Sequence, residues 1–161
     1  MLRGPVPDIT PQRRARRIAM SDAERDAFLR EQRVCRVASV DAHGDPHVTP
    51  LWFVWDGAHL WLNSIVRAQR HANLLRHPRV AAVVDAGHDY FELRGVEFHG
   101  TVQPVGDQPR SGGPDATLDA VEAAFAAKYI GDGAAFVHDG RHGWLRIDPD
   151  RQYTWDFRKL T

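Results

Sequence analysis

RVASVDAHGDPHVTPLWFVWDGAHLWLNS, residues 36–64, decides the fold. Its apolar runs are short, rich in β-branched and aromatic residues, and interrupted by turn formers. The first strand is expected over 33–41 and a turn over 42–46, with Gly44 supplying backbone freedom. A second strand is expected over 47–55, a hairpin turn at Asp56-Gly57, and a third strand over 58–64. Pro50 lacks an N–H, so the second strand should be an edge or carry a bulge.

Outward from this block the pattern continues. SIVRAQRHANLLRHPRV, residues 64–80, reads as a helix closed by Pro78, with Ser64 as N-cap and Leu74 and Leu75 facing a core. A fourth strand is expected over 79–85, and a long one over 90–105, bent at Gly95 and Gly100. After a loop over 106–114, Leu118, Val121, Phe125 and Tyr129 recur at helical spacing within a helix over 115–130. Two strands, 142–149 and 151–157, close the chain. Upstream, Ser21 and Glu24 have capping-box spacing at the start of a helix over 21–32. Residues 1–19 read as a loose basic arm and 20–161 as a single domain. Sequential strands with short turns and few helices imply a mainly β, antiparallel barrel with helices packed outside it. No glycine-rich phosphate loop is present, which argues against a Rossmann domain.

The 161 residues suffice for one domain with a real core. Formal net charge is zero, which gives nucleic-acid binding no support. Cys35 is the only cysteine, so no intrachain disulfide and no cysteine-pair zinc site can form. There is no apolar signal-peptide core and no membrane-length apolar run, and a soluble cytoplasmic protein is expected. The pairs His43/His47 and His138/His142 have spacing that joins two metal ligands only on a helix, and neither pair lies in helical sequence, so no metal site is expected.

One feature is chemically informative. Arg67 and Arg70 sit in the first two turns of the 64–76 helix, where the helix dipole disfavours positive charge by a few tenths to about 1 kcal/mol. Three residues apart, they project to one side, close to Ser64 and the free N–H groups of the first turn. A phosphate there would reverse the penalty. The alternative is two solvated arginines.

Four stretches together resemble the split β-barrel flavin and deazaflavin oxidoreductases, the superfamily that includes pyridoxamine 5′-phosphate oxidase, and within it the actinobacterial F420-dependent branch. They are residues 36–64, the run VRAQRHANLLRHPRV, the run LRGVEFHGTVQPV and the ending YTWDFRKL. The resemblance implies a Greek-key split barrel that forms a homodimer, with a cofactor in each of two clefts at the subunit interface. It implies that Arg67 and Arg70 hold the cofactor phosphate, helped by Asn63 and Ser64, and that the flat ring lies along Thr49, Pro50, Leu51 and Trp52. In the vitamin-B6 oxidases the strand corresponding to PHVTPLWFV carries an arginine and a lysine for the flavin mononucleotide (FMN) phosphate. Here it carries neither, and the substrate motif of those oxidases is missing. Vitamin-B6 oxidase activity is therefore not expected, while F420, whose phosphate sits on a different tail, remains compatible. The resemblance to the F420-dependent branch makes F420 the expected cofactor, FMN the alternative, and a non-catalytic flavin or haem carrier a further one, with His99 as haem ligand. The expected reaction is hydride transfer between the deazaflavin and a small unsaturated organic substrate. Since the cofactor carries the hard step, no catalytic dyad is expected. Tyr90, Glu92 and His99 are weak candidates for delivering a proton. Trp52 is the tryptophan expected nearest the ring. Arg13, Arg14, Arg16 and Arg17 would attract a polyglutamate tail at long range.

Overall fold

The computed structural model describes residues 7–161. Seven antiparallel strands form one sheet. They are β1 (Cys35–Val40), β2 (Pro46–Leu51), β3 (Phe53–Trp55), β4 (Leu60–Ile65), β5 (Arg79–Ala86), β6 (Arg94–Val105) and β7 (His142–Asp156). Three helices accompany them: α1 (Asp22–Glu31), α2 (Gln69–Arg76) and α3 (Ala116–Tyr129). The sheet order is β2-β1-β5-β6-β7-β4-β3.

The second expected strand is broken at Trp52. Residues 46–51 pair with β1, whereas 53–55 pair with β4. The two outermost strands are thus neighbours in the chain, and the bend at Trp52 rolls the sheet into a barrel whose edges meet there. Tyr129 of α3 holds the bend. Its hydroxyl accepts the Phe53 N–H at 2.9 Å and has the carbonyls of Arg33 and Phe53 at 2.8 and 2.9 Å for its own proton. Burial pushes this phenol further above its ordinary pKa, so it stays neutral and serves both roles. Pro50 lies on an edge strand, as its missing N–H requires.

The two expected C-terminal strands are one. Pro149 does not end β7, because it faces Gly100 at a bulge between His99 and Gly100. A Cβ on Gly100 would come within 2.3 Å of the Asp148 carbonyl oxygen. Gly95 answers a different need from the expected bend: the Trp155 ring packs where its Cβ would be.

Two apolar clusters flank the sheet. The barrel interior holds Leu29, Val37, Phe53, Leu62, Val84, Phe98 and Ile147, all essentially inaccessible. Outside it, α3 lays Leu118, Val121 and Phe125 on Val54, Trp61 and Trp144. The capping box of α1 forms, with Glu24 N–H on Ser21 Oγ and Ser21 N–H on Glu24 Oε2 at 2.7 Å. Of the expected basic arm, residues 1–6 lie outside the described residues. The rest is tied down rather than loose at two points: Thr10 N–H donates to the Asp150 carbonyl, and Gln12 bonds the Thr154 backbone through both ends of its amide.

Candidate functional site: a cavity at the barrel split

A cavity of about 330 Å³ opens between the β2 edge and β4. Pro50, Leu51 and Trp52 form one wall, and Val34 and Phe125 extend it. Asn63, Arg70 and His142 supply its polar groups.

Arg70 enters from the first turn of α2. Its Nε approaches Ser64 Oγ and its Nη1 approaches Thr49 Oγ1, both at the long distance of 3.4 Å. Among the described residues no carboxylate lies within ion-pair distance of it. Half-burial lowers its proton affinity from the ordinary arginine value, opposed only by Cys35. Cys35 is no true partner, since burial pushes its thiol up to about 12 and leaves it neutral. A guanidinium withdrawn from water without a counter-anion is an uncompensated cost unless a ligand brings the charge.

Ser64 is fully buried on β4 and also contacts His71 Nδ1 at 3.2 Å. Burial, then the charge of Arg70, lowers the proton affinity of His71, and its Nε2 has no partner. Asn63 Nδ2 is likewise buried without an acceptor. Of these two unmatched groups, Asn63 belongs to the cavity lining, and His71 lies behind Ser64.

The structure brings Thr49, Pro50, Leu51, Trp52, Asn63, Ser64 and Arg70 to this corner, but by a different local route from the one expected. The helix begins at Gln69 with Ala68 as N-cap and no side-chain cap. Ser64 is not a cap: the β4–β7 ladder runs on through Ser64 and Ile65, paired with Gly143 and His142. Arg67 therefore lies in the turn before α2, exposed, and the two arginines do not share a helix face. Leu75 is half exposed, because His71, Asn73 and Leu74 take the inward seats of this short helix.

Trp52 is 47% exposed and stacks on Tyr129 at 4.4 Å with planes 7° apart. Trp61 and Trp144 are buried beneath α3, and Trp55 stacks on Phe98. Tyr90, Glu92 and His99 do not line the cavity. Tyr90 is exposed on a short helical turn, Glu92 caps that turn, and His99 pairs with Glu97 on β6. His142 was missed as a cavity residue. Its signal was the aspartate three residues before it: Asp139 Oδ2 lies 2.7 Å from His142 Nδ1. Phe125, expected in the core from its helical spacing, also lines the cavity.

Barrel and corner together define a class of protein, the split β-barrels of the flavin and deazaflavin oxidoreductases. The chain belongs to the pyridoxamine 5′-phosphate oxidase family, whose sequence model matches residues 21–156. The resemblance to this superfamily read from the four stretches is thereby borne out. Over 91 residues the chain is 35% identical to the 5a,11a-dehydrotetracycline/5a,11a-dehydrooxytetracycline reductase of Streptomyces rimosus, a match spanning 52% of this chain and 64% of that relative. A crystal structure of a conserved hypothetical protein from Mycobacterium tuberculosis superposes with a TM-score of 0.76 at 31% identity, covering 94% of this chain and 92% of the other. The structure of an F420 reductase gives a TM-score of 0.60 at 21% identity over 79% of this chain and 94% of that one, a likeness of fold. No helix among the described residues is long and apolar enough to cross a membrane.

Proposed function

We infer that the chain is an F420-dependent oxidoreductase that reduces a small, flat, conjugated organic substrate. One observation carries this reading: Arg70 presents a half-buried positive charge, unmatched by any carboxylate among the described residues, to a cavity walled by Pro50, Leu51 and Trp52. The groups present fit a phosphate-bearing tricyclic cofactor. Arg70, with the Ser64 and Thr49 hydroxyls, would hold its phosphate, and the unpaired Asn63 Nδ2 would donate to an oxygen of its tail. The apolar wall would carry the ring system. When bound, reduced deazaflavin supplies the hydride equivalent. The chain's own residues would orient both reactants and keep water out. The half-exposed Trp52 and the neighbouring Phe125 offer a flat surface for a conjugated substrate, in keeping with the substrates named for the Streptomyces relative.

FMN in the same cleft is the second reading. A single half-buried guanidinium suits the monoanionic phosphodiester of F420 better than the more highly charged phosphate monoester of FMN. A carrier of flavin or haem is the non-catalytic alternative. Homodimerisation is part of the reading. Supporting it, Ala38, Val48, Ala81 and Val83 lie exposed or half-exposed on one face of the β2-β1-β5 strands, next to the cavity's β2 wall. A cytoplasmic location follows from the need for a soluble cofactor pool.

Titrating purified protein with F420 and with FMN tests the proposal. Saturable binding of F420, with turnover of its reduced form by conjugated acceptors, is expected. Preferential FMN binding would replace the cofactor, and binding of F420 without turnover by any acceptor would favour the carrier.

A further inference from the structure

His142 lines the cavity, and Asp139, in the loop before β7, pairs with it. Asp139 is fixed first. Its Oδ1 accepts the backbone N–H groups of Arg141 and His142 at 2.9 and 3.1 Å. Burial opposes its ionisation, but those N–H groups and the His142 ring outweigh it and hold the carboxyl at about 2. Asp139 is therefore a permanent anion near neutral pH, and its Oδ2 takes the Nδ1–H of His142. That bond settles the tautomer and leaves Nε2 as the ring nitrogen free of Asp139. The loop is also tied to the neighbouring turn, since Val66 N–H donates to the Arg141 carbonyl at 2.9 Å. Ile65 pairs with His142 and Asn63 with Trp144, so the ring stands on the same face of β4 and β7 as Asn63, and both line the cavity with Arg70.

We propose that His142, oriented by Asp139, is a further ligand-binding residue of this cavity and grips an oxyanion only when its ring is protonated. As an imidazolium it adds a second positive charge and an Nε2–H donor to the cavity that Arg70 lines. As a neutral ring with its proton on Nδ1, it turns a lone pair toward the anion and repels it. Arg70 and His142 are the only titratable side chains lining the cavity among the described residues, and Arg70 stays charged throughout. On the adjoining segments, Arg67 is exposed in its turn, His138 is paired with Glu122 at 3.1 Å, and His71 is buried against Ser64, where burial and Arg70 lower its proton affinity and keep it the neutral ring. The inference rests on reading the cavity as an anion-binding cofactor site and adds a residue and a pH dependence to it.

The experiment titrates sulfate, which keeps its charge over the range, and F420 in parallel. Binding is followed by the side-chain ¹⁵N resonances of Arg70 and His142 and by F420 fluorescence, from about pH 5.5 to about pH 8.5. Affinity for both ligands should fall roughly tenfold as the ring loses its proton, the scale of one charge-assisted hydrogen bond. His142→Gln should make the profile flat. Asp139→Asn should move its midpoint to lower pH, because the imidazolium loses its counter-charge. Sulfate that shifts the Arg70 signal with an affinity independent of pH would overturn the role of His142 and leave the cavity reading intact. Sulfate binding with the expected profile while F420 fails to bind would uphold His142 and overturn the cofactor. A cavity that binds neither ligand would overturn both.

Discussion

Arg70 and Arg110 are both withdrawn from water, and the molecule treats them in opposite ways. Arg110, 5% exposed, donates through Nε to Glu122 Oε1 at 2.8 Å and lies near Asp107. Glu122 also accepts from Trp144 Nε1 and pairs with His138. The hydrogen bond to Glu122 raises the proton affinity of Arg110, whereas burial lowers that of Arg70. One arginine belongs to a completed network that fastens the 106–115 loop to α3. The other keeps two long contacts to hydroxyls and faces a cavity. Buried charge of the first kind holds a fold together. Charge of the second kind is a binding site lacking its ligand, because folding alone gains nothing from leaving it unmatched.

The largest effect should come from breaking the completed network. Glu122→Ala leaves Arg110 buried without its partner and Trp144 Nε1–H without an acceptor, and should destabilise the fold by about 3–5 kcal/mol in denaturant unfolding. A loss well under that would mean that the two arginines are less different than their surroundings suggest. Arg70→Ala should do the reverse. Stability should change by no more than about 0.5 kcal/mol, while cofactor affinity falls by about 1–3 kcal/mol in a binding titration. Unchanged affinity would erase the distinction from the other side.

Lys128 sharpens the comparison as an intermediate case. Its Nζ donates to the Leu29 carbonyl and sits 3.9 Å from the Phe53 ring centre, and burial lowers its pKa to about 8. The unfolded chain, with an ordinary lysine pKa, binds the proton more tightly. Stability should therefore rise as pH increases from about 8 to about 10.5, by about 1–2 kcal/mol relative to Lys128→Met. A difference between the two proteins that stays constant with pH would show Lys128 to be solvated. The smallest effect should be that of Tyr129→Phe. It deprives the Phe53 N–H of its acceptor at the bend and should cost about 1 kcal/mol in thermal or denaturant unfolding, with Trp52 fluorescence reporting the loosened stack.

How much of this was legible in the sequence depends on which forces set each element. Strands, turns and the α1 capping box are local, and they were readable from pattern. The break at Trp52 was not, because nothing in HVTPLWFVW marks the residue where pairing changes from β1 to β4. Only barrel closure demands it. The start of α2 was misplaced for a related reason. Ser64 is a good cap by type, but the ladder with β7 holds it in a strand, and pairing overrides local preference. The site residues nevertheless converge, Ser64 from the strand and Arg70 from the helix. Their chemistry was visible, although the geometry behind it was misread. His142 needed the fold: its pairing with Asp139 is short-range, but its place in the cavity that Arg70 lines exists only once β7 lies against β4.

The closure at Trp52 has a mechanical consequence. Every other neighbouring pair of strands is zipped by a hydrogen-bonded ladder, but β2 and β3, the terminal strands of the sheet, share only a corner of chain. The barrel wall can widen or narrow along that seam without unzipping a ladder. An occupant of the cavity would act there as mortar between two unjoined edges, and molecules of differing thickness could be admitted while the rest of the wall stays rigid.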